Sequence, residues 1–69
     1  MSLKVEIDRE ADGRWIAEVL SLPGVMAYGA TQHDALQRVK AIALRVIADR
    51  IEHGEWESSS FHFEVAPAA

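Results

Sequence analysis

The chain has 69 residues, no cysteine, and seven Lys or Arg against eleven Asp or Glu, a net charge of −4. That length holds one small domain, expected to fill residues 1–69 with an ordered core over about 2–65, and the lack of cysteine removes disulfide staples and thiolate zinc sites. The acidic balance argues against a generic nucleic-acid binder, the 49% apolar content against a disordered tail, and no apolar run approaches the ~20 residues of a membrane span.

The opening Met1-Ser2-Leu3-Lys4-Val5-Glu6 is charged and strand-like rather than a signal peptide, so a cytoplasmic location is expected. Leu3, Val5 and Ile7 alternate with Lys4, Glu6 and Asp8, the period of a strand with one buried face. Ala11-Asp12-Gly13 predicts a hairpin turn in which Gly13 takes positive φ, and Arg14 to Leu20 the returning strand. Leu22-Pro23-Gly24-Val25 predicts a type II turn, with Pro23 presetting one central φ and Gly24 supplying the other. A short third strand, Val25 to Gly29, leads into a helix with Thr31 as N-cap and Asp34 in its first turn, Gly29 easing the entry. Leu36, Val39, Ala43, Val46 and Ile47 form the expected buried stripe, and Gly54 ends the helix as a C′ residue. Ile42 on one flank and Leu44 and Ile51 on the other widen the apolar arc to roughly 200°, more than packing on one sheet needs. Glu55 to Ser60 is a polar connection around Trp56, Phe61 to Val65 a last strand, and Ala66 to Ala69 a tail.

The expected fold is α+β in the order β-β-β-α-β, an antiparallel meander with a fourth strand beside the first and one helix on one face. A single helix leaves the other face open, and strand alternation puts Ile16, Leu20, Met26 and Tyr28 there or near its edge. Surplus apolar surface on a domain short of core predicts a homo-oligomer, most simply a dimer, with Ile16, Leu20, Leu44, Ile51 and Trp56 as interface residues.

Catalytic chemistry finds little footing. Glu6, Asp8 and Glu10 share one strand face, and no helix acid is placed to join them as a two-metal nuclease requires. His33, His53 and His62 lack metal-ligand spacing, Ser58-Ser59-Ser60 has no nucleophile elbow, and the glycines form no phosphate loop. No catalytic residue, metal or cofactor is therefore assigned. The charge is segregated: residues 1–35 hold three cations and six carboxylates, 36–54 four and two, and 55–69 none and three. Arg38, Lys40, Arg45 and Arg50 read as a solvated helix face with Asp34–Arg38 and Arg45–Asp49 pairs rather than a nucleic-acid site.

Leu22-Pro23-Gly24-Val25, Gly29-Ala30-Thr31 and Asp34-Ala35-Leu36, with the upstream Asp12-Gly13-Arg14-Trp15 hairpin, resemble the signature of the HicB-like antitoxin family. The resemblance covers about Val5 to Ile51 and consists mostly of turn and cap residues. It implies a truncated RNase H-like domain that is not an enzyme. Such a domain belongs to a bacterial type II toxin–antitoxin pair and neutralises a HicA-like toxin, a small basic mRNA-cleaving protein. Glu18, Leu22, Pro23, Met26 and Tyr28 are the expected contacts to that partner. Many family members add a DNA-binding segment that has no counterpart in this sequence, so no direct DNA binding is expected. The alternative is a solitary oligomeric HicB-like module with a regulatory or small-ligand-binding role.

Overall fold

A computed structural model describes residues 2–56 and 61–67. Its elements are β1 (Ser2–Arg9), β2 (Trp15–Val19), β3 (Met26–Gly29), α1 (Gln32–Glu52) and β4 (His62–Pro67). They form an α+β fold with one mixed sheet in the order β3-β2-β1-β4. β1 pairs antiparallel with β2, β2 antiparallel with β3, and β4 lies parallel to β1 at the far edge.

Local chemistry sets the turns. After β1, the Gly13 N–H donates to the Glu10 carbonyl (2.9 Å) and the Glu10 N–H to the Arg14 carbonyl (2.7 Å), closing a three-residue loop on Gly13 at φ +92°. Asp12 braces it, accepting from the Arg14 backbone (3.1 Å) and from Arg14 Nε (2.8 Å). The backbone bond and then the side-chain bond hold the Asp12 carboxyl below its ordinary range. Between β2 and β3, the Val25 N–H donates to the Leu22 carbonyl (3.1 Å) with Gly24 at φ +82°, as a type II turn demands.

The helix is capped at both ends. Thr31 Oγ1 accepts from the Asp34 N–H (3.0 Å), satisfying one orphan donor. At the other end Glu55 N–H reaches Arg50 O (2.8 Å) and Gly54 N–H reaches Ile51 O (3.1 Å), a Schellman motif on Gly54 at φ +73°.

The core is Leu3, Val5 and Ile7 of β1, Ala17 and Val19 of β2, Leu22 and Val25 of the turn, Ala27 of β3, and Ala35, Val39, Ala43 and Ile47 of α1. Trp15 packs on it from the rim, with Arg9 stacked 5.6 Å from its ring. The helix stripe is rotated from the expected one, since Ala35 is fully buried while Leu36 and Val46 are only partly so. The cause is a close approach: a Cβ on Gly29 would overlap the Ala35 backbone nitrogen and stand 2.9 Å from its Cα. Only small residues fit where α1 meets the sheet backbone to backbone.

β4 also runs further than expected. Ala66 and Pro67, predicted as tail, continue the ladder beside Glu6 and Ile7, and an edge strand tolerates a residue without an N–H. The polar connection after Trp56 falls largely outside the described residues.

Replacing Gly29 by Ala is expected to lower stability by about 1–3 kcal/mol through overpacking against α1. Gly24→Ala meets no atom within 4 Å and is expected to cost only about 1–2 kcal/mol, from its left-handed backbone. Urea unfolding of the two variants measures the difference.

Candidate functional site

Alternation sends every second side chain of the sheet away from α1. In register across that open face stand Glu6 opposite Glu18, Asp8 opposite Ile16, Glu18 opposite Met26 and Ile16 opposite Tyr28. Across these pairs one side is apolar and the other acidic, with Glu18 on the boundary and Lys4, opposite Glu64, next along β1. Glu6, Asp8, Ile16 and Glu18 line a shallow hollow of about 220 Å3. Leu20, half exposed, stands past the end of β2. At the rim Arg14 stacks on the Tyr28 ring, 4.4 Å from its centre, while paired to Asp12 at 2.8 Å. That stacking holds the ring in place, since the guanidinium is attracted to its face. At the far edge Ser2 Oγ donates to Glu64 (3.0 Å), fastening β4 to β1.

Of the expected partner contacts, Glu18, Met26 and Tyr28 lie together on this face and Pro23 is exposed on the adjoining turn. Leu22 is corrected. It is 1% exposed and belongs to the core, because the turn that follows β2 carries its side chain into the apolar cluster. The Glu6–Glu18 juxtaposition went unpredicted, yet the hairpin encodes it: a three-residue loop pairing Glu10 with Arg14 sets Glu6 against Glu18 four steps back.

The five residues expected at one oligomer interface fall on two surfaces. Ile16 and Leu20 belong to the open face. Leu44 and Ile51 are exposed on α1 and Trp56 packs against the core beyond its end; α1 lies over β2 and β3, barely reaches β1, and does not bring its backbone against β4. Phe63 and Val65 stand beside Leu3 and Val5 in register, yet Val65 stays 47% exposed under that uncovered strip. Phe61 stacks edge-on against Phe63 there, 6.2 Å between centres, and Lys40 Nζ sits 5.8 Å from the Phe63 ring.

The expected helix pairs are also corrected. Among the described residues the Arg or Lys ion pair is Arg14–Asp12, and the His53 imidazole lies against Asp49, its Nδ1 3.5 Å from the carboxylate and 2.7 Å from the Asp49 carbonyl. Arg38 reaches the Tyr28 carbonyl (3.4 Å) instead of Asp34. Among the described residues no three His, Asp or Glu side chains converge on a point that could hold a metal ion, and no described helix is long and apolar enough to cross a membrane.

Like charges directly opposite one another destabilise a sheet. Glu18→Gln, which removes one of the facing carboxylates, is expected to raise stability by about 0.2–1 kcal/mol, read as a higher urea midpoint with an unchanged slope. Comparison with family models, curated proteins and solved structures finds no match for this chain.

Proposed function

We propose that this protein is an antitoxin-type inhibitor, not an enzyme, of the HicB-like kind its turn and cap residues resemble, on a truncated RNase H-like domain. It acts in the cytoplasm by binding a small basic mRNA-cleaving toxin of the HicA-like class. The observation that carries this reading is the open face. Facing carboxylates at Glu6 and Glu18, joined by Asp8, border exposed Met26 and Tyr28. Acids steer a cationic partner and speed its capture, while the apolar half supplies contact area once it has docked. Holding two carboxylates opposed costs stability in the free domain, and a cationic partner relieves that repulsion on binding.

The apolar side chains left exposed on α1 and β4, Leu44, Ile51 and Val65, with Trp56 just past the end of α1, favour self-association as part of the same reading, most simply as a dimer. An oligomer built there leaves the open face available to the toxin.

Co-expression with the product of an adjacent gene encoding a small, basic, histidine-containing protein tests the assignment. Joint purification and restored growth are the expected results, and Glu6→Lys with Glu18→Lys is expected to weaken the complex at least tenfold. Neither complex nor rescue would overturn the reading. Leu44→Glu with Ile51→Glu is expected to shift sedimentation toward monomer while capture through the open face persists.

A further inference from the structure

The free edge of β3 carries a second recognition surface, of opposite charge to the open face. Between that edge and α1 lies a groove of about 410 Å3, bordered by Met26, Ala27 and Tyr28 on the strand and Arg38, Ile42 and Arg45 on the helix. Past Tyr28 and Arg38 a neighbouring hollow of about 390 Å3 reaches Arg14 and Gly29.

The backbone here is open to a further strand. β3 is the outermost strand of the sheet. The Val19 N–H donates to the Val25 carbonyl (3.0 Å), and antiparallel ladders alternate. Val25, Ala27 and Gly29 therefore turn their backbone groups to β2, and Met26 and Tyr28 turn theirs outward. The bond from Arg38 to the Tyr28 carbonyl agrees with that direction. The flanking charge is positive and uncompensated: among the described residues neither Arg38 nor Arg45 meets a carboxylate within ion-pair distance.

We propose that this groove binds an extended acidic segment of another protein, which adds a strand to β3. Seven residues along α1 separate Arg38 from Arg45 by about 10.5 Å. Two side chains four apart on one face of a strand are about 13.5 Å apart, and flexible arginines close the difference. The matching segment has an apolar residue with a carboxylate two positions to either side. Its backbone bonds to Met26 and Tyr28, taking over the Tyr28 carbonyl from the long 3.4 Å bond to Arg38; the apolar residue rests on Ala41 and Ile42, and the carboxylates meet Arg45 and the released Arg38.

A second copy of this chain does not fit. Its β1 puts Glu6 and Asp8 on the face opposite Val5 and Ile7, and its β4 carries a single carboxylate, Glu64. Pairing two β3 edges would set arginine against arginine. The inference is independent of the proposed function, because that function uses the acidic face and a cationic partner.

The probe is a seven-residue peptide of threonines with glutamate at its second and sixth positions and valine at its fourth. Titrated into the full isotope-labelled chain, it is expected to give saturable shifts at the Met26 and Tyr28 amides. Arg38→Glu with Arg45→Glu, both at exposed positions, is expected to weaken binding at least fivefold and to favour a peptide with lysine replacing glutamate. Any of four results would overturn the proposal: no saturable shift at millimolar peptide, equal binding of the lysine peptide by the unaltered chain, shifts confined to Glu6, Asp8 and Glu18 or to β4 with none at Met26 and Tyr28, or the same shifts produced by concentrating the chain alone. A single-stranded RNA that binds the edge in place of the peptide would overturn it as well.

Discussion

The structure depends on how closely α1 sits on the end of β3. Only Ala30 and Thr31 separate the strand from the helix, so the chain must turn back at once and the two backbones meet at Gly29 and Ala35. Ala43 continues that close seat along the helix. A helix with side chains is about 10–12 Å across, whereas four strands at about 4.8 Å spacing span some 14 Å between their outer axes. Anchored at β3, the helix runs out of width before β4. The strip it leaves bare is where Val65 and Phe61 stay exposed. Helix position, decided by one glycine, thus determines which apolar side chains remain for other molecules.

The opposite face follows from register rather than from packing. No described element covers it, so its side chains are chosen without the constraint of a core. A face built only for solubility would intersperse charges of both signs. Here Glu6, Asp8 and Glu18 gather beside Ile16, Met26 and Tyr28; of the cations on the face, Arg14 is paired with Asp12 and stacked on Tyr28, and Lys4 stands in register with Glu64. Two surfaces of opposite charge character then share β3: its outward side chains serve the acidic face, and its outward backbone faces the arginines of α1.

What could be read from the residues was what each residue demands locally. Asp12-Gly13, Pro23-Gly24, Thr31 and Gly54 each answer a requirement of backbone sign or an unpaired amide, and each turn and cap lies where those residues stand. The strand order was legible because a meander and one crossover leave few alternatives. Less legible were features decided by depth. Leu22 sits in a polar-looking turn, yet the chain tucks it inward; Ala35 is too small to advertise burial, yet its backbone leaves no room for a Cβ at Gly29. The ion pairs on α1 failed for the same kind of reason. Arg38 has a backbone carbonyl across a tertiary gap that helical spacing does not reveal, and Asp49 answers His53 at the helix end.

The pairing of β1 with β4 has a consequence for how the molecule forms. Ser2 and His62 are register partners sixty residues apart, so an inner strand of the sheet cannot complete its hydrogen bonding until almost all of the chain is present. Contacts of such long sequence separation slow folding. On the ribosome, the meander and helix can assemble while one side of β1 still presents bare amides and carbonyls. That interval, more than the finished fold, is when the sheet is most open to capture by a foreign strand.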